Sequence, residues 1–327
     1  MTSPAPRPPL SLATASLAIW IGAAWLSAAD VPELPPSHSV QPELYATGFE
    51  FAEGPAFDRD GNLFVVNYRG NGNIGRIAKD GTASVWCVLD ALAPIEGQRS
   101  QANGIKVDSE GRLVVADAGG GRLLRVAADG KSAQVLADRW SGTRFNSIND
   151  VALDTAGNIY FSDPAGSNAE NPTGSVYRFD ISTNAVTRLA TDLAFPNGLA
   201  VTVDQQHLCV GESSRYRVMI YDLVEGRAEN GRVLIDFPRQ DEGDLRGGPF
   251  DPDGMILDEA GRLYVAMWVG GVINVVDIST GKLLRQYDAG GLKATNCHFH
   301  DGYLYTTVAA KEAVFRLKLG VNGFEYN

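Results

Sequence analysis

Six times along the chain a polar turn, usually Asp-x-x-Gly, runs straight into a short apolar strand, and this recurrence constrains the fold more than any other feature. Three copies are Asp58-Arg59-Asp60-Gly61 before Asn62-Leu63-Phe64-Val65-Val66, Asp108-Ser109-Glu110-Gly111 before Arg112-Leu113-Val114-Val115, and Asp154-Thr155-Ala156-Gly157 before Asn158-Ile159-Tyr160-Phe161. A degenerate fourth copy runs from Asp204 through Leu208-Cys209-Val210. The fifth is Asp258-Glu259-Ala260-Gly261 before Arg262-Leu263-Tyr264-Val265, and the sixth is His300-Asp301-Gly302 before Tyr303-Leu304-Tyr305. Copies stand about 40 to 55 residues apart, a propeller-blade period. More strand-like sequence follows each, such as Gly121-Arg122-Leu123-Leu124-Arg125-Val126 and then Ala133-Gln134-Val135-Leu136. One such sheet cannot bury both of its faces, whereas six around an axis do. A β-sandwich does not explain why the same punctuation recurs six times. The expected fold is therefore all-β, a six-bladed β-propeller with mostly four-stranded antiparallel blades, forming a single domain over residues 43–327.

The segment ahead of the first copy divides in two. Arg7 precedes an apolar run over residues 10–26, and Ser27-Ala28-Ala29 places small residues where a signal peptidase cuts. Residues 1–29 thus read as a signal peptide, and the mature protein is expected to be exported, periplasmic or extracellular. Residues 30–42, with Pro32, Pro35, Pro36 and Pro42, read as an extended lead-in that is either unstructured or supplies a strand to close the ring. No later stretch reaches membrane-spanning length, so the mature chain is expected to lack a stable span. A formal charge of -11 argues against a nucleic-acid backbone as the main partner; it suits solubility or an electropositive ligand such as a metal ion, and net charge alone picks neither. Cys87, Cys209 and Cys297 are odd in number and sit in apolar surroundings, which makes them core residues.

Polar residues recur just before the innermost strand of several repeats: Glu53-Gly54, Asn103-Gly104, Asn149-Asp150, Asn197-Gly198 and Asp253-Gly254. Taken singly, an Asn-Gly or Asp-Gly pair usually makes only a turn. In a propeller, however, these equivalent positions converge on one mouth of the axial channel. Carboxylate and amide oxygens suit a hard divalent cation, and Glu53, Asn149, Asn197 and Asp253 together offer two negative charges and two neutral oxygens. Asn103 either lines the wall of the same pocket or makes a turn. His298 and His300 share one strand face and are either structural or pocket-facing. There is no Gly-x-Ser-x-Gly elbow for a serine nucleophile, and Gly119-Gly120-Gly121 lacks the Lys-Ser or Lys-Thr of a phosphate loop.

These residues resemble the SMP-30/gluconolactonase/luciferin-regenerating-enzyme family of calcium-dependent propellers, and in particular its bacterial gluconolactonase-like members. The likeness covers roughly residues 43–320 and rests on Glu53-Gly54-Pro55, Arg144-Phe145-Asn146-Ser147-Ile148-Asn149-Asp150, Phe195-Pro196-Asn197-Gly198-Leu199 and Pro252-Asp253-Gly254-Met255. Asp163-Pro164 and Thr295-Asn296 add to it. The resemblance implies Ca2+, or another divalent cation, held by Glu53, Asn149, Asn197 and Asp253. It implies Asp253 as general base, and Arg144, with Asn103, as substrate contacts. Gln101 and the run Cys297-His298-Phe299-His300 depart from the family pattern. The expected activity is hydrolysis of a sugar lactone or related cyclic ester, the cation polarising the carbonyl and a carboxylate activating water. The alternatives are a hydrolase of other esters or organophosphates, and a non-catalytic propeller that binds carbohydrate or protein and uses calcium only for rigidity. The expected partner is a small lactone or ester, and the expected state a monomer or dimer.

Overall fold

The Asp-x-x-Gly segments close on themselves by one repeated set of bonds. The computed structural model describes residues 1, 32–67, 70, 72–164, 166–238 and 251–326. In it the Asp58 carboxylate accepts the N–H groups of Asp60 (3.0 Å) and Asn62 (2.8 Å), while the Gly61 N–H donates to the Asp58 carbonyl at 3.0 Å. Asp108, Asp154 and Asp258 make the same pair of contacts, with the residues two and four ahead. A short acidic side chain here imitates a backbone turn, and the residue completing it is left-handed, with φ of 78° at Gly61 and 83° at Gly157. In the degenerate copy the anchor is Thr202 rather than Asp204. Its hydroxyl oxygen accepts the His207 N–H (2.9 Å), and Gln205, at φ 61°, occupies the position glycine holds elsewhere. The sixth copy is a two-residue hairpin in which Asp301 and Gly302 both have positive φ between paired His300 and Tyr303.

Six four-stranded antiparallel sheets result, arranged as a six-bladed β-propeller. The innermost strands are Ala52–Phe57, Ala102–Val107, Val151–Leu153, Pro196–Val201, Pro252–Leu257 and Ala294–His300. Blades one to five run outward in chain order. Blade six instead takes Glu43–Thr47 as its outermost strand, paired antiparallel with Ala313–Lys318, so the two ends of the propeller share one sheet and close the ring. Apolar side chains fill the seams between blades: Ala56, Phe64 and Ile74 of blade one pack with Ile105, Val115 and Leu124 of blade two. Ahead of the closing strand, the described part of the lead-in, from Pro32, packs against blade five. The Pro35 carbonyl accepts from Arg285 Nε (3.1 Å) and the Tyr287 hydroxyl (2.7 Å), and Leu34 is buried. The expected signal peptide lies outside the described residues but for Met1. All three cysteines are buried, free thiols. Among the described residues, no helix is long and apolar enough to cross a membrane.

The inner strands are bulged where they begin. Pairing with the second strand slips between Glu53 and Ala56, Ala102 and Ile105, Pro196 and Leu199, and Pro252 and Met255. A bulge re-aims side chains at the end of a strand, and here each bulge carries one of the polar residues singled out above. The glycine that follows lets neighbouring blades approach closely. A Cβ on Gly104 would lie 2.0 Å from Asp150 Oδ1 and 2.7 Å from the Asp150 Cα; on Gly254 it would lie 2.0 Å from Asn296 Cγ. Gly104→Ala is therefore expected to destabilise the protein by about 1–3 kcal/mol, read as a lower urea midpoint. An unchanged midpoint would mean that the blades have slack there.

Candidate active site

Because these four bulges sit at the same end of their inner strands, and Asn149 lies just ahead of the inner strand of blade three, five side chains from five blades meet in one cavity of about 400 Å³. They are Glu53, Asn103, Asn149, Asn197 and Asp253. Blade six offers Thr295 at the equivalent place, but its hydroxyl is spent on the Ala52 carbonyl (2.9 Å) and on Thr307. The predicted ligands are thus brought together, and Asn103 joins them as a pocket residue. Glu53, Asn103, Asn197 and Asp253 are buried, and Asn149 is half-buried.

Three of the five present an oxygen that nothing in the protein satisfies. The Oδ1 atoms of Asn103, Asn149 and Asn197 are buried without a hydrogen-bond partner. An orphaned buried acceptor is costly, and three around one cavity mark a place built for something that accepts electron pairs. The carboxylates give the same indication. Burial, then repulsion from Asp150, pushes the Glu53 carboxyl up to about 8, despite hydrogen bonds from the Gly54 N–H and Asn296. Asp253 is raised well above the ordinary carboxylate range by burial and by Glu53, Asp150 and Asp251, against a hydrogen bond from Asn197. Crowded carboxylates and unpaired amide oxygens suit a hard divalent cation such as Ca2+, so the residues present fit the group. Among the described residues, no group of three or more His, Cys, Asp or Glu side chains is placed to hold a metal ion, so the candidate set rests on two carboxylates and amide oxygens.

Below this floor the axis is filled by the two residues that replace glycine in the repeat. Asp150 accepts the Val151 N–H (2.8 Å) and a hydrogen bond from Asn296 Nδ2 (3.4 Å), tying blade three to blade six. Burial raises the Asp150 carboxyl while the nearby Lys106 charge lowers it. Lys106 Nζ is itself buried without a hydrogen-bond partner, a positive charge among the acidic groups of the axis. Neither Asp150, Asn296 nor Lys106 was singled out as a site residue from sequence. The signal for the first two was present: Asn149-Asp150 and Thr295-Asn296 break the X-Gly pattern of the other four repeats.

Arg144, expected as a substrate contact, is not among the described residues that line this cavity. Phe145 is buried against Phe161 and Tyr177, and consecutive residues of an extended chain face opposite ways, so Arg144 points outward. It lies exposed on the hairpin Arg139–Trp140/Thr143–Arg144, donating to the Gly120 carbonyl (3.2 Å) and pairing with Asp138 (3.5 Å). Gln101 is held through its own backbone, its N–H donating to Asp117 at 2.8 Å. His298 and His300 line a separate cavity of about 350 Å³ with Phe57, Val107, Leu153 and Ile256, at the far ends of the inner strands. There Phe57 stacks on His300 (4.2 Å between centroids), and burial with the Lys106 charge lowers His298 to about 3, keeping it neutral.

Residues 51–310 match the SMP-30/Gluconolactonase/LRE-like region. The chain belongs to that family. Among curated relatives of this gluconolactonase-like propeller, a gluconolactonase of Zymomonas mobilis is 27% identical over 84% of this chain and 80% of its own. The diisopropyl-fluorophosphatase of Loligo vulgaris is 29% identical over 83% of this chain and 90% of its own. Among solved structures, a gluconolactonase of Xanthomonas campestris superposes with a TM-score of 0.72 at 25% identity, covering 89% of this chain and 96% of that one.

Proposed function

We propose that the protein is a metal-dependent hydrolase that opens a lactone or related cyclic ester in the pocket above Glu53, Asn103, Asn149, Asn197 and Asp253. The observation that carries this reading is the convergence of three unsatisfied amide oxygens and two buried carboxylates at the base of a substrate-sized cavity. A bound divalent cation, Ca2+ first among candidates, supplies Lewis acidity toward the ester carbonyl. Glu53, Asn149, Asn197 and Asp253 would hold it.

Asp253 is the general base. Without a cation, burial and its acidic neighbours raise its proton affinity; a cation beside it would favour the ionised form, the form that accepts a proton from water. The hydrogen bond from Asn197 orients it. Water oxygen bonds to the acyl carbon, the ring C–O bond breaks, and the proton taken by Asp253 passes to the departing ring oxygen, leaving a hydroxy acid. Asn103, at the edge of the same floor, is placed to contact substrate. In this reading the protein acts after export, with residues 1–29 removed.

Similarity to the fluorophosphatase favours a second reading, in which the same floor serves a phosphorus ester. Hydrolysis of lactones, aryl esters and phosphotriesters, measured side by side at saturating Ca2+, separates the two. Lactones are expected to give the highest kcat/KM. Faster phosphotriester turnover would replace the first reading by the second, and full calcium occupancy with no turnover of any class would leave a binding propeller.

A further inference from the structure

The walls of the pocket differ in kind from its floor. Phe51, Phe195, Tyr216 and Trp268 stand around the oxygen cluster. Phe51 and Phe195 each lie two residues ahead of a floor residue, Glu53 and Asn197, so the turn entering the inner strand delivers a ring and an oxygen to the same cavity. Three of the four rings are carried on left-handed backbone, with φ of 50° at Phe51, 58° at Phe195 and 57° at Tyr216. Bulky side chains rarely adopt that conformation. Where it persists the surroundings hold it, and it gathers at functional sites. Here the Phe195 N–H donates to Ser167 Oγ (2.8 Å), its carbonyl accepts the Ser213 N–H (3.1 Å), and the Tyr216 carbonyl accepts the Phe237 N–H (2.7 Å). The Trp268 ring is set by Phe51 (5.4 Å between centroids) and the Lys293 ammonium (5.5 Å from its centroid). All four rings remain half-buried, facing the cavity rather than a blade seam.

Some of the polar capacity on these walls is already used. The Ser213 hydroxyl donates to the Pro252 carbonyl, and one Asp251 oxygen accepts the Val269 N–H at 2.9 Å. Among the described lining residues none is Lys, Arg or His. A polyhydroxylated ring pressed against these ring faces loses water from its hydroxyls and finds no partner on the faces themselves. An alkyl or aryl group loses nothing and gains aromatic contact.

We propose that this aromatic collar makes the site selective for cyclic esters bearing an apolar substituent, an alkyl chain or a fused aryl ring, over sugar lactones. The proposal rests on the hydrolase reading for turnover, but the selectivity itself is a property of binding.

The test pairs binding with catalysis on the calcium-loaded protein. Calorimetry would compare δ-valerolactam, its alkyl-substituted homologues and gluconolactam, all non-hydrolysable isosteres, while kcat/KM would be measured for the matching lactones. Affinity and kcat/KM are expected to rise about fourfold per methylene until the collar is covered, with the sugar member lowest in both. Phe195→Gly should flatten that slope without lowering the melting temperature, because glycine accepts the left-handed φ without strain. Trp268→Ala should flatten it as well. A slope in binding without turnover upholds the collar and overturns the hydrolase reading. Turnover without a slope does the reverse. The collar is also overturned if gluconolactam binds more tightly than the alkyl lactams, or if both variants keep the wild-type slope.

Discussion

Asp253→Asn, with Ca2+ saturating, is expected to lower lactone kcat by about a hundredfold to ten-thousandfold, the range over which a positioned acid–base group acts. The substitution keeps an oxygen at the same place in the bulge and removes the negative charge together with the capacity to take a proton. Asp253 is buried, hydrogen-bonded by Asn197, and raised by Glu53, Asp150 and Asp251, so no exposed group substitutes for it cheaply. The measurement is kcat alongside metal content per chain, because a variant that merely lost its cation would show a falling occupancy. Turnover within a few-fold of wild type at full occupancy would remove Asp253 from the chemistry and leave it as a ligand only.

Chelated protein is expected to lose stability as pH rises from about 5 to about 8, and added calcium to reverse the loss. Glu53 titrates near 8 in the fold, against an ordinary value of 4.5 in the open chain, and Asp150 and Asp253 are displaced in the same direction. Between those limits the folded protein holds protons that the unfolded chain releases, so unfolding becomes easier as pH climbs. Its stabilising share is complete below the unfolded value and gone above the folded one. A cation neutralises the ionised carboxylates and binds only the assembled site, adding about 2.7 kcal/mol at a hundredfold excess over Kd. Melting curves in chelator and in calcium at pH 5 and pH 8 should therefore diverge most at pH 8. Glu53→Gln should raise the chelated melting temperature at pH 8 and shrink the calcium response. A chelated protein equally stable at both pH values, or a calcium shift independent of pH, would contradict this account of the floor.

The two expectations draw on different levels of the molecule. Blade number, strand count and turn positions were legible in the chain, because each Asp-x-x-Gly turn is a local device. Asp58, Asp108, Asp154 and Asp258 each satisfy backbone N–H groups two and four residues away, and no distant residue is needed. The floor was legible for a related reason: a propeller converts a repeated sequence position into a shared place on its axis, so Glu53, Asn103, Asn149, Asn197 and Asp253 could be grouped before any coordinate was known. The fourth turn was harder to place, since Thr202 replaces the acid and Gln205 the glycine.

What the sequence by itself determined, then, was everything governed by contacts a few residues long and multiplied by the repeat: the all-β propeller and the identity of its floor residues. Tertiary structure alone decided which way non-repeated side chains face. It turned Arg144 out through the burial of Phe145, sent His298 and His300 to the opposite mouth, dropped Lys106 unpaired into the axis, and raised Phe51, Phe195, Tyr216 and Trp268 into a collar. Those outcomes depend on bulges, left-handed turns and the meeting of blades far apart in the chain, where the orientation of a side chain is set by neighbours it does not meet until the ring has closed.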